Sequence, residues 1–257
     1  VRETILVTGA TGRLGRALLP RLAEAGFGVR GMSRRARSGD GADWVTADLT
    51  TGYGLAEALA GVDVVVHLAA APYRGRYTDR VEVDGTRRLA EAAREAGAGH
   101  LIYTSVIGAD RIPWGYFGTK TRTEGIVRSG GTPWSIVRAA QFHGFMDQAF
   151  SMAARSGLMI ADPGIRAQPV DVRDVARHLV RRVEEGPSGG TEDFGGPEVL
   201  TFDEAARQWL DARGKKRPLV RVRLPGRLGA AFRADHLVTG ATPTGTITWR
   251  RYLRENR

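Results

Sequence analysis

Tyr116 and Lys120 stand four residues apart, the spacing that puts two side chains on one face of a helix. A phenol with an ordinary pKa of about 10 is a poor acid–base catalyst at neutral pH. An ammonium beside it favours the phenolate and draws the group toward the working range. A second constellation lies near the start of the chain, where the apolar run Ile5–Val7 leads into Gly9-Ala10-Thr11-Gly12-Arg13-Leu14-Gly15. A helical pattern through Leu18, Leu19 and Leu22 follows directly. In the order strand, glycine turn, helix, this spacing suits the pyrophosphate of a dinucleotide. Gly9 permits the tight turn, Gly12 lets the backbone approach the phosphates, and Gly15 lets the helix pack close. The helix start then aims its N–H groups and positive dipole end at the ligand.

Such a fold reads the adenosine ribose at the end of its second strand. A carboxylate there accepts from a free 2′-hydroxyl, whereas arginine suits a 2′-phosphate. Here the strand ending at Ser33 runs into Arg34 and Arg35, with no carboxylate before Asp40. A guanidinium fork matches phosphate geometry, so NADP(H) is expected over NAD(H). Ser33 and Arg34 are the first candidates to hold it, then Arg35 and Arg13. Asp48, beside Leu49 after the third strand, reads either as an adenine contact or as a helix cap. The fourth strand ends His67-Leu68-Ala69-Ala70-Ala71, where small side chains would let the cofactor lie against the sheet edge. His67 itself reads as a packed core histidine.

These groups need a scaffold, and the pattern provides one. Apolar runs at Ile5–Val7, Val29–Met32, Val62–Leu68, Leu101–Thr104 and Trp134–Val137 alternate with amphipathic stretches at Leu14–Ala25, Gly54–Leu59, Val81–Ala96 and Thr119–Val127. Continuous apolar strands separated by helices predict an α/β fold of Rossmann type, a doubly wound parallel sheet. Pro20 conflicts with the first helix, where it should kink the chain or remove a hydrogen bond. Beyond residue 142 the pattern loosens into helices at Phe142–Arg155, Val172–Glu184 and Thr201–Arg213, then a basic tail of low periodicity from Lys215. Residues 1–141 are therefore expected to form the NAD(P)-binding core. Residues 142–257 would add late sheet elements and a small substrate-side lobe, as one structural unit with that core.

Composition narrows the remaining classes. The absence of cysteine rules out disulfides, thiolate metal sites and cysteine nucleophiles, and the five histidines show no metal spacing. The net charge of +10 is carried almost entirely by scattered arginines, without the aromatic-studded basic stripe of a nucleic-acid groove. No run approaches the roughly 18 apolar residues of a membrane span. A cytoplasmic protein, monomer or homodimer, with no specific nucleic-acid or membrane partner is expected.

Together the motifs resemble the short-chain dehydrogenase/reductase superfamily, and more narrowly its atypical, NmrA-like branch. The likeness rests on Thr8 to Gly15, Gly61 to Leu68, Val83-Asp-Gly-Thr86, Tyr116 to Lys120, Pro133 to Arg138, Val170 to Ala176 and Gly195 to Thr201. It implies that Tyr116 protonates a carbonyl oxygen as hydride arrives from the nicotinamide, while Lys120 orients the ribose and tunes Tyr116. It also implies that Ala139, Ala140 and Gln141 line the nicotinamide end, and that Phe142, His143, Phe145 and Met146 begin the substrate wall. Two positions depart from the family. Its catalytic hydroxyl falls on Val106, leaving Ser105 as the substitute, and Glu82 holds the place of an asparagine common in extended members.

The resulting expectation is an NADPH-dependent reductase acting on a carbonyl or quinone-like group of a small, fairly apolar molecule. A non-catalytic NADP(H)-binding redox sensor is the alternative, although such proteins usually lack the Tyr–Lys pair. A nucleotide-sugar epimerase is a third reading, disfavoured by the short C-terminal lobe.

Overall fold

The computed structural model describes residues 2–39, 41–71 and 75–256. Its first part runs β1 (Thr4–Thr8), α1 (Arg13–Glu24), β2 (Gly28–Ser33), β3 (Asp43–Thr46), α2 (Leu55–Leu59), β4 (Val64–His67), α3 (Arg76–Thr78), a π-helical turn (Asp79–Asp84), α4 (Gly85–Glu95) and β5 (His100–Val106). It continues through α5 (Gly115–Ser129), β6 (Trp134–Ala139), α6 (His143–Arg155), β7 (Met159–Ala161), β8 (Arg166–Ala167), α7 (Val172–Glu185) and β9 (Thr191–Phe194). The last elements are β10 (Leu200–Thr201), α8 (Phe202–Ala212), β11 (Leu219–Arg221), α9 (Gly226–Arg233) and α10 (Trp249–Glu255).

Seven strands form one sheet in the order β3-β2-β1-β4-β5-β6-β9. The pairings of β1 with β2 and β4, of β2 with β3, and of β4 with β5 are all parallel. Burial explains the apolar runs: Val64, Val65, Val66 and His67 all face protein rather than water, so no polar alternation is needed. The chain winds outward from β1 to β3 and returns to the other side of β1 at β4. That reversal opens a crevice at the carboxyl ends of β1 and β4, where a doubly wound sheet binds its ligand. The glycine turn leaves β1 at that place.

The chain packs as two units whose segments interleave along the sequence. One comprises Val1–Ser105, Gly118–Val137 and Ala176–Glu192; the other comprises Val106–Phe117, Arg138–Val175 and Asp193–Arg257. The first has a core that includes Leu6, Leu59, Val65, Leu89, Leu101 and Tyr103. The second holds two apolar clusters, one around Phe150, Trp209 and Trp249, the other around Val106, Ile112 and Phe117. Short sheets β10-β8 and β11-β7 lie in this second unit. Its helix α8 starts at a reciprocal cap, in which Thr201 accepts from the Glu204 N–H and Glu204 accepts from the Thr201 N–H.

α1 runs through Pro20, which has no N–H and so removes one hydrogen bond from the helix ladder. The basic tail from Lys215 is ordered into β11, α9 and α10, because Trp249 and Leu253 anchor it in the apolar cluster of the second unit.

Candidate functional site

The glycine turn is set by contacts that a side chain would break. Gly9 has φ +65°, and a Cβ there would lie 2.7 Å from the Ala69 nitrogen. A Cβ on Gly15 would come within 2.5 Å of the carbonyl oxygens of Gly9 and Ala10. Gly12 differs: it is exposed, and an added Cβ would meet only the Gly9 carbonyl, at 3.1 Å. Its openness therefore serves something outside the turn. Gly12 is also the N-cap of α1, with no side-chain cap and no acidic residue in the first turn. The start of α1 thus keeps the positive character that phosphates require.

Behind this turn a buried chain of hydrogen bonds ties β1, β4 and α4 together. Burial and the neighbouring Lys120 charge lower the His67 pKa to about 3, so its ring is neutral. The Thr86 hydroxyl donates to the Glu82 carbonyl (2.5 Å), which leaves Thr86 Oγ1 to accept from His67 Nε2–H (2.8 Å). His67 Nδ1 then accepts from the Thr8 hydroxyl (2.7 Å), whose oxygen accepts the Ala69 N–H (3.3 Å). Neutral histidine has one donor and one acceptor nitrogen, and the chain assigns them without conflict.

Glu82 closes the arrangement. Its carboxylate accepts the Ala71 N–H (3.2 Å) at one oxygen and pairs with Lys120 Nζ (2.7 Å) at the other. Both side chains are buried, and the Lys120 ammonium also lies over the Tyr103 ring, 5.6 Å from its centre. Tyr116 occupies the first turn of α5, half-buried, with Trp114 at 5.9 Å and Phe117 edge-on at 5.4 Å between ring centres.

Comparison with known proteins now decides the family. Residues 9–185 match the NAD(P)H-binding family. The chain belongs to that family. It is 31% identical to a ceramide reductase of Caulobacter vibrioides over 91% of this chain and 78% of that protein. An uncharacterised protein of Mycobacterium tuberculosis is 34% identical over 79% of this chain, which spans only 23% of that protein's length. Among solved structures, an NADPH-dependent quinone oxidoreductase of Escherichia coli complexed with NADPH matches with a TM-score of 0.81, at 20% identity, covering 98% of this chain and 99% of that one. That structural likeness shows the shared fold. The resemblance to the short-chain dehydrogenase/reductase superfamily stands, and so does the Rossmann-type sheet.

As an NAD(P)H-binding family member, the chain has residues that fit a dinucleotide. Thr11, Gly12 and Arg13 form the outer rim of the turn, while Ala10 and Leu14 turn their side chains into the core. At the end of β2, the Ser33 hydroxyl oxygen accepts the Arg35 N–H (3.3 Å), and exposed Arg34 reaches the Tyr77 hydroxyl (3.4 Å). Asp48 accepts from both the N–H and the hydroxyl of Thr50 at 2.8 Å, so it holds its own turn, and the Leu49 side chain is core. Ala69 and Ala70 line the open end of β4, whereas Ala71 is buried against Glu82. At the end of β6, Ala139 and Ala140 are buried, and both polar atoms of the Gln141 carboxamide are buried without a hydrogen bond among the described residues. Buried amides ordinarily find a partner, and a bound ligand would supply one here.

Three of the expected site residues, Ser105, His143 and Met146, are buried. The Ser105 hydroxyl donates to the buried carboxylate of Glu124 (2.7 Å), itself held by Arg128. Strand alternation turns its neighbour Val106 into the cluster against which Tyr116 packs. His143 is buried against the stacked rings of Trp249 and Tyr252, beside Asp171. Met146 joins the same cluster, whereas Phe142 is half-buried and Phe145 is exposed. The structural role of Glu82 was not read from sequence. The available signal was a lone carboxylate between Val81 and Val83, four residues before Thr86.

Proposed function

We propose that this chain is an NADPH-dependent reductase that acts on a carbonyl or quinone-like group of a small, fairly apolar molecule. The observation that carries the reading is the Tyr116–Lys120 pair on α5, with the lysine buried and its ammonium held by Glu82. NADPH, when bound, supplies the hydride. The rim of the glycine turn holds the pyrophosphate, and Ser33, Arg34 and Arg35 take the 2′-phosphate. Tyr116 donates its phenolic proton to the substrate oxygen as the carbon is reduced, and water restores that proton. Lys120 fixes the position of the cofactor ribose relative to Tyr116. With Val106 in place of a hydroxyl donor, Tyr116 is the substrate oxygen's main proton source, so its removal should cost most of the rate.

The test is NADPH oxidation with a panel of ketones, quinones and enones, run beside Tyr116→Phe. Turnover that falls at least about a hundredfold in the variant supports the reading, the scale expected for a general acid. Tight NADPH binding with no acceptor reduced, or turnover indifferent to Tyr116, would overturn it in favour of a cofactor-binding sensor.

A further inference from the structure

We propose that the outer face of the small sheet β7-β11 docks on an anionic lipid surface. Both strands lie in the second packing unit. They run parallel with Val220 opposite Ile160, so these two side chains share a face. Val222, whose N–H bonds the Ala161 carbonyl, continues it. The other face is packed. Met159 and Ala161 are buried, Met159 joins the cluster of Trp209 from α8, and Arg221 reaches Asp203 of the same helix. The shared face has no such cover: Ile160 is 64% exposed, Val220 43% and Val222 44%. Leu158 and Leu224, which flank the strands, are exposed too. Exposed apolar side chains scattered singly are ordinary, whereas these stand together on one sheet face.

Charge identifies the occupant. Residues 212–234 contain eight arginines and lysines and no carboxylate. Three of the eight are paired, Arg213 with Asp147, Arg221 with Asp203 and Arg233 with Asp162. Lys215 and Lys216 before β11, and Arg223 and Arg227 after it, are exposed and in no ion pair among the described residues. A second copy seated face to face would bring this run against itself, which like charges disfavour. Protein interfaces centre on aromatic, methionine or arginine anchors seated in pockets, and this face offers only aliphatic side chains on a strand pair. A bilayer surface takes such side chains into its acyl boundary without shape matching, while its phosphates take the cations at both ends of the strand. The lack of a long apolar run, from which no membrane partner is expected, bears on spanning alone.

The experiment is flotation of the full chain with vesicles of phosphatidylcholine alone and of phosphatidylcholine mixed equally with phosphatidylglycerol, beside sedimentation velocity without lipid. The native chain should float with the mixed vesicles and not with phosphatidylcholine alone, and less so as salt rises. Ile160→Ser combined with Val220→Ser should weaken that binding at least about tenfold, because two aliphatic side chains no longer leave water. Lys215→Glu combined with Lys216→Glu should weaken it similarly. All four positions are exposed, so urea midpoints close to native are expected. Val222→Ser with Leu224→Ser replaces the first serine pair should that one fail to fold. No flotation with the mixed vesicles would overturn the proposal and leave an acidic protein as the occupant. Flotation that the serine variant keeps would overturn it as well, because the net charge of +10 alone would then suffice. A concentration-dependent dimer that the serine variant abolishes would assign the face to a second copy of this chain instead.

Discussion

Arg34 and Arg35 follow the last residue of β2, and among the described residues neither is held in an ion pair. Arg30, on the same strand, shows the contrast: it is spent on Asp43 and on the carbonyls of Ala58 and Ala60. An arginine with no carboxylate to satisfy is available to a phosphate, and a guanidinium–phosphate bond contributes about 1.5–3 kcal/mol. Arg34→Ala should therefore weaken NADPH binding by roughly 10- to 100-fold. NADH, which has no 2′-phosphate, should lose much less. Fluorescence titration of both cofactors checks this, and equal losses would show that Arg34 only shapes the loop. The stability cost should be small, because Arg34 is exposed.

At the scale of elements, the sequence was most legible where backbone geometry demands one residue type. The strand–glycine turn–helix unit and the parallel sheet are readable from periodicity and spacing, whereas the helix expected at Thr119–Val127 begins four residues earlier, at Gly115, and so includes Tyr116. What could not be read were direction and depth. Ser105 and Val106 are adjacent in sequence, yet strand alternation sends one toward Glu124 and the other into the Tyr116 cluster. His143 and Met146 follow a predicted strand end as a substrate wall would, but α6 turns both into the core that Trp249 completes. The tail that supplies Trp249 has too little periodicity to announce its own order. The turn itself gives a separable prediction. Gly15→Ala forces a Cβ against two fixed carbonyls and should destabilise the fold by about 1–3 kcal/mol. Gly12 is extended (φ −74°, ψ 173°) and exposed, so Gly12→Ala should change stability by less than about 1 kcal/mol while weakening NADPH binding. Urea unfolding and cofactor titration on the two variants test the distinction. Matching losses of stability would mean that Gly12, too, is structural.

The stability of the whole molecule should depend on two histidines buried as neutral rings. Burial and Lys120 hold His67 at a pKa of about 3, and burial and Arg182 hold His100 at about 4. In the unfolded chain both titrate at about 6.5. The folded state therefore binds fewer protons than the unfolded state once the pH drops below that value. Their contribution is complete above pH of about 6.5 and is lost as the pH falls toward the folded values. Each histidine removes about 1.4 kcal/mol per pH unit in that window, or on the order of 4 kcal/mol for the pair by pH 5. Carboxylates such as Asp171, held down by Arg173, begin to matter only at lower pH, because their unfolded values lie near 4. Urea midpoints at pH 7.5 and 5 should therefore differ strongly in the native chain. His67→Gln, which can still accept from Thr8 or donate to Thr86, should remove about half of that difference while losing some stability at pH 7.5. An unchanged pH dependence in His67→Gln would mean that His67 already carries a proton in the folded protein. The bond between Thr8 and the ring would then be reversed, with Nδ1–H donating to the Thr8 oxygen, while the bonds from the ring through Thr86 to Glu82 keep their direction.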